Sequence, residues 1–282
     1  EARLKEAQAA IVCVYEHTAP QAVQQQAHSF CDQLKESDGA WQLVCQLFMG
    51  TQNLHVKFWC LQTLVEVVQH KYASLSPQDC VQFRQFLVSW LVEVYPQLEP
   101  QAPFVLNKVS QLYALIIRNE YPDQWDEAVT SLLLSLNIGP GMVDMFLRIL
   151  DAIDEEIINV EFHRSPTDAA VSMKVKDGLR AQCLSQISEA WLTVLMAYHR
   201  DEPRLAKSCL STIARYIDWI DIGLVVNEQF MGAFWTFLEM DFFVEEAAEC
   251  LAEVALKKME PKAKIALLAH VVRRNALATA IA

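Results

Sequence analysis

Apolar residues recur along this chain at helical spacing, in stretches separated by short polar breaks. The clearest stretch lies within 102–119, where Val105, Val109, Leu112 and Ile116 stand four, three and four residues apart. That spacing places them in one stripe on a helix, with Lys108, Gln111 and Arg118 off it. Within 53–73 the same pattern picks out Leu61, Leu64, Val65, Val68 and Tyr72, and within 242–258 it picks out Val244, Ala247, Ala248, Leu251 and Ala255.

Prolines punctuate these periodic segments. Pro20, Pro77, Pro103, Pro122, Pro140, Pro166, Pro203 and Pro261 each stand where one periodicity stops and another starts. Proline suits the first helical turn and disfavours helix at the residue before it. Ser76-Pro77-Gln78-Asp79 is a strong start signal, because the serine oxygen can accept from a free amide and the aspartate suits the positive end of the dipole. Ser165-Pro166-Thr167-Asp168 repeats that chemistry. At Tyr121-Pro122-Asp123 one helix should end and another should follow almost at once, through Trp125, Leu132 and Leu136.

Between these marks the helices fall into pairs: 2–17 with 20–36, 38–49 with 53–73, 77–95 with 102–119, 122–137 with 140–159, 167–199 with 203–218, and 221–239 with 242–258. A last helix over 261–274 is left unpaired, and Ile157 to Gly178 reads as a longer loop or kink that can take in part of the following helix. The unit of about 40 residues is that of HEAT-type helical repeats. One hairpin cannot cover its own stripes, so neighbouring pairs must stack into an all-α solenoid of about six pairs, which presents an extended binding surface.

Composition agrees with helix: of 282 residues, only 7 are glycine and 53% are hydrophobic. The formal charge of −12 is spread along the chain. It argues against non-specific nucleic-acid binding and against an anionic membrane surface, though a local basic groove remains open. No apolar run approaches the length of a membrane span, so membrane insertion is not expected. The chain opens at Glu1 without methionine and closes on an apolar tail, so it reads as a piece of a longer protein. The 8 cysteines form no CxxC pair and sit mostly at apolar helical positions, as buried free thiols do.

The chain offers no phosphate-cradling glycine loop and no GxSxG elbow, so an enzyme is not expected. Cys13 and His17, four apart, could supply half a metal site, but no second pair completes it. Asp151, Asp154, Glu155 and Glu156 are metal-ligand types without the spacing of a calcium loop, and read instead as a solvated helix end. Basic residues recur beside the stripes: Lys57 and Lys71, Lys108 and Arg118, Arg148, then Arg204, Lys207 and Arg215, with Lys174, Lys176 and Arg180 near the interruption. Such a row could meet phosphates or an acidic partner if it lines an inner face; the alternative is ordinary solvated side chains.

His55 to Leu64, with Lys57, Phe58, Trp59, Leu61 and Gln62, continuing to Lys71-Tyr72, resembles the amino-terminal domain of the importin-β superfamily of transport receptors. Asn107-Lys108 through Tyr121-Pro122-Asp123-Gln124-Trp125 resembles the exportin-like segment that follows it. Asp144 to Glu156, Lys176 to Cys183 and Asp218-Trp219-Ile220-Asp221 are more particularly similar to the transfer-RNA export receptors of that superfamily. The resemblance runs from about Ser29 to Lys258.

The resemblance implies a right-handed α-α superhelix of HEAT repeats over 1–282, with 29–95 as a Ran-binding region and 102–258 as exportin-like repeats. It implies a nuclear export receptor that binds Ran-GTP on the inner face of its amino-terminal repeats together with transfer RNA, whose shape and ends would be read. GTP and magnesium would enter only through bound Ran, and the receptor itself needs no cofactor and no metal. Further implied partners are nuclear pore proteins, and the receptor would act as a monomer shuttling between nucleus and cytoplasm. Carried onto matching motif positions, Lys57, Gln62, Lys71, Asn107 and Lys108 become the Ran contacts. Arg148, Arg180 and Arg215, by charge and position, become RNA-phosphate contacts. Trp59, Leu64, Tyr121, Pro122 and Trp125 fit packing roles, and Asp218, Trp219 and Asp221 an inter-helix turn. The full receptor of this family is several times longer, so the part that completes the grip on RNA lies outside this chain. A helical-repeat scaffold without GTPase dependence, or an exportin for another cargo, is the alternative.

Overall fold

Pro77, Pro103, Pro140, Pro166 and Pro203 each open a helix in the computed structural model, which describes residues 2–16, 19–98, 100–159 and 165–269. The serine signals act as expected: Ser76 Oγ accepts from Asp79 N at 3.1 Å, and Ser165 Oγ from Asp168 N at 3.2 Å. The described residues form helices without strands. His17, half of the pair read with Cys13, and residues 270–274 of the expected last helix lie outside the described residues.

The chain divides into two compact units, 1–125 and 126–282. The first holds α1 (Ala2–Glu16), α2 (Gln21–Glu36), α3 (Ala40–Gly50), α4 (Leu54–His70), α5 (Pro77–Ser89) and α6 (Pro103–Glu120). α1 packs on α2, α3 on α4, and α4 on α6. The predicted stripes are buried: Val105, Val109, Leu112 and Ile116 on α6, and Leu61, Leu64, Val65 and Val68 on α4 with Tyr72 just beyond it. Burying each such side chain contributes roughly 1.5–3 kcal/mol. Aromatic rings tie α3 to α5 and to the turn that follows it, with Trp41 on Phe83 at 5.3 Å and Phe48 on Trp90, the residue after α5, at 5.5 Å.

The second unit holds α7 (Ala128–Leu134), α8 (Pro140–Ile153), α9 (Pro166–Gln182), α10 (Leu184–Tyr198), α11 (Pro203–Ile217), α12 (Glu228–Leu238) and α13 (Val244–Leu256). A further helix, α14, covers 261–269. α11 is central and packs on α8, α10 and α13. Tyr216 on α11 is fully buried, donates to Leu150 O at 2.8 Å and meets Trp191 edge-on at 5.4 Å.

Four expectations are corrected. The helix after the Tyr121-Pro122 corner starts at Ala128, because Tyr121 and Trp125 bury their rings in the turn and Trp125 packs on Tyr113 at 4.8 Å. The long segment 167–199 is two helices, broken at Cys183 with φ −144°; Cys183 N still donates to Leu179 O and its own carbonyl accepts from Ile187 N, so both backbone groups of the residue at the break are paired. The helix expected from 221 begins at Glu228, where Asn227 Oδ1 caps the amides of Gln229 and Phe230. On α13 the buried face is Ala247, Cys250 and Val254 with Phe243, whereas Val244 and Ala255 of the predicted stripe are exposed. Apolar side chains occupy two faces of this helix, and contact with α11 selects one of them.

The cysteines follow the sequence reading. All eight are free thiols, six of them buried.

Candidate partner-binding surfaces

In the first unit, Asn53 fixes the start of α4 by accepting from His55 N at 2.9 Å and Val56 N at 3.2 Å. Lys57 follows in the first turn. Its side chain is only 4% exposed, with Nζ donating to Gln101 Oε1 at 2.7 Å and reaching Gln52 Oε1 at 3.5 Å. Burial pushes its pKa below the usual lysine value. Helical spacing sets this lysine beside the stripe of α4, and there the side-chain carbonyls of Gln52 and Gln101 cover it.

Gln62 sits one turn before Glu66 and donates to it at 3.3 Å, while Lys35 of α2 reaches the same carboxylate at 2.9 Å. Burial raises the Glu66 pKa, but the hydrogen bonds from Lys35 and Gln62 outweigh it and hold the group below its usual value. Lys71, at the end of α4, pairs with Glu36 at 2.9 Å and meets Lys35 O at 3.5 Å. Gln62 and Lys71 therefore share a charged strip that joins α2 to α4. Lys35, Glu36 and Glu66, which complete it, were not singled out from sequence, because their pairing joins positions about thirty residues apart. On α6, Asn107 is exposed and Lys108 donates to Gln111 at 3.0 Å.

In the second unit, each proposed RNA-phosphate arginine already meets carboxylates. Arg148 pairs with Asp144 one turn earlier at 2.7 Å. Arg180 pairs with Asp177 at 2.9 Å, donates to Trp219 O at 2.8 Å and lies 5.5 Å over the Trp219 ring. Arg215 lies 3.0 Å from Glu155, 3.9 Å from Asp151 and 4.0 Å from Asp154.

That last cluster corrects the reading of 151–156 as a solvated helix end. Asp154 is 6% exposed, and burial raises its pKa to about 6. Burial also raises Asp151, which Thr212 Oγ1 meets at 2.9 Å. The acidic run ends α8 as a π-helical turn, Asp154–Ile158, which turns these carboxylates onto α11. The Asp218 to Asp221 turn is structural as expected: Asp221 accepts from Gly223 N at 2.8 Å, and Lys257 Nζ donates to the carbonyls of Ile217 and Asp218 at 2.7 and 2.8 Å.

Among the described residues no group of three or more His, Cys, Asp or Glu side chains is placed so that it could hold a metal ion, and none of their helices is long and apolar enough to cross a membrane. Charged strips and clefts on paired helices are suited to macromolecular contact.

Residues 27–93 match the family described as importin-beta N-terminal domain, and residues 102–251 match the family described as exportin 1-like protein. Such domains are HEAT-repeat solenoids, and the helix pairs of both units are elements of that architecture. Exportin-T of Arabidopsis thaliana is 34% identical over 270 residues, covering 92% of this chain and 27% of the relative. Exportin-T of Dictyostelium discoideum is 30% identical over 272 residues, covering 96% and 25%. Exportin-T of Homo sapiens is 32% identical over 247 residues, covering 86% and 26%. The chain thus spans about a quarter of the length of the relatives it matches.

Proposed function

The chain belongs to the exportin 1-like family, and from that premise we propose that it is the amino-terminal part of a transfer-RNA export receptor that binds Ran-GTP. The observation that carries the proposal is the adjacency of the two matched regions, 27–93 and 102–251, within a chain that aligns nearly end to end with exportin-T relatives. In this reading Ran-GTP docks on the first unit, against the strip of Gln62 and Lys71 and the polar start of α6 at Asn107 and Lys108, with Lys57 beneath it. GTP and magnesium arrive only in bound Ran, and the chain itself performs no chemistry. Transfer RNA is the cargo, nuclear pore proteins are the transit partners, and the receptor shuttles between nucleus and cytoplasm as a monomer.

Ran and cargo would each favour the same curvature of the stacked pairs, so each raises the affinity of the other. Calorimetry of this chain with Ran carrying a non-hydrolysable GTP analogue, and separately with Ran-GDP, tests the reading, with transfer RNA added to the same cell. Preference for the GTP form, strengthened by transfer RNA, is the expected result. Equal binding of both forms would point to a scaffold without GTPase dependence; GTP-selective binding indifferent to transfer RNA would point to another cargo.

A further inference from the structure

A cleft of about 430 Å³ opens on the second unit between the end of α8, α9, α11 and α13, lined among others by Asp154, Lys176, Arg215, Trp219, Glu249 and Glu253. We infer that this cleft is a receptor for a lysine or arginine side chain presented by a protein partner. This inference does not depend on Ran or transfer-RNA binding.

Two independent observations support it. The first is an excess of uncompensated negative charge on one wall. Glu249 and Glu253 stand one turn apart on α13, and no described residue forms a hydrogen bond or ion pair with either carboxylate. Like charges at that spacing on a helix repel each other. The second is Asp154 in the opposite wall, with its side chain 9% exposed. Its carboxylate accepts no hydrogen bond from a described residue, and its nearest cation is Arg215 Nη1 at 4.0 Å. A buried carboxylate ordinarily has donors at hydrogen-bond distance.

The cations already present do not fill this need. Arg215 is shared among Asp151, Asp154 and Glu155, lies closest to Glu155, and forms no ion pair with Glu249 or Glu253 although it lines the same cleft. Lys176 is drawn toward the Trp219 ring, at 5.8 Å. A further ammonium or guanidinium could sit between Asp154 and the α13 carboxylates, where each would meet a charge-assisted donor. The indole of Trp219 supplies an apolar wall for the aliphatic stem of such a side chain. Nucleic-acid phosphates would meet the same carboxylates with repulsion, so a protein segment is the occupant that the charge favours.

The test is calorimetry with a capped tetra-arginine peptide on the full 282-residue chain, at low and moderate salt. The double variant Glu249→Gln/Glu253→Gln is expected to lose at least tenfold in affinity. A control, Asp201→Asn/Glu239→Gln, removes the same charge from exposed positions elsewhere and is expected to bind as the parent does. The Trp219 indole N–H resonance is expected to shift during titration of the parent chain and to stay put in the Gln variant. Equal affinity of parent and Gln variant, equal losses in variant and control, or no peptide binding by any form would overturn the inference. So would a short RNA that binds the parent chain and loses affinity on the Gln substitutions.

Discussion

Arg215 Nη1 donates to Glu155 Oε1 at 3.0 Å, bonding the middle of the second unit, α11, to the turn that ends α8. The same guanidinium stands 3.9 Å from Asp151 and 4.0 Å from Asp154, close enough to offset part of the cost of burying these carboxylates but hydrogen-bonded to neither. Its primary role in the described structure is therefore to hold two helices together.

Arg215→Ala should destabilise the chain at neutral pH. Removing one partner of a buried ion pair costs about 3–5 kcal/mol, and because Arg215 is 43% exposed, solvent screening reduces the expected loss to about 2 kcal/mol. Urea unfolding at pH 7 reads it. A midpoint unchanged from the parent would show that the cluster contributes nothing.

Asp154 gives a pH dependence of defined sign. Its folded pKa, about 6, lies above the unfolded aspartate value. The folded state then holds a proton that the unfolded state has released, so this group's contribution is fully present below pH ~4 and is lost as pH rises to about 6. Asp154→Asn should therefore stabilise the chain at pH 7, by about 2 kcal/mol, and leave it unchanged near pH 4. Thermal unfolding at the two pH values checks this, and a gain of equal size at both would contradict it.

In the first unit, Glu120 is 6% exposed, accepts from Tyr72 Oη at 3.0 Å and pairs with Arg84 at 2.9 Å. Glu120→Ala should cost about 3–5 kcal/mol by leaving Arg84 without its buried partner. Tyr72→Phe, which removes one hydrogen bond and keeps the ring on Phe83, should cost about 1 kcal/mol. Urea midpoints that rank the two variants in the opposite order would refute the network.

For Ran-GTP binding, accessibility ranks the proposed contacts. Lys71→Glu and Lys108→Glu should each weaken binding about tenfold, which corresponds to ~1.4 kcal/mol. Lys57→Met should weaken it less, because Gln101 and Gln52 cover its ammonium. Calorimetric titration of the three variants compares them directly; a larger loss at Lys57 than at Lys71 would place the docking face elsewhere.

Much of this was legible in the chain, and the limits are physical. Val105, Val109, Leu112 and Ile116 predicted their own burial by their spacing, but α6 is buried on more than that stripe, with Leu106, Tyr113, Ala114, Leu115 and Ile117 covered as well. Ser76 and Ser165 predicted their caps because a cap is completed within four residues. The stripe on α13 failed because that helix carries apolar residues on two faces. The acidic run at 151–156 was misjudged because its partner, Arg215, stands sixty residues away on another helix.

The sequence by itself determined the helices, most of their start points, their pairing and the family, since each rests on local periodicity, capping chemistry or motifs contiguous in the chain. Tertiary structure alone decided which charges are free to meet a partner. It buried Lys57 under two glutamines, joined Lys35 to Glu66 and Lys71 to Glu36, folded Asp154 onto Arg215, and left Glu249 and Glu253 unpaired beside a cleft. The reason is range: a hydrophobic stripe repeats every turn along one helix, whereas an ion pair between helices depends on how their faces come together, and no local pattern encodes that.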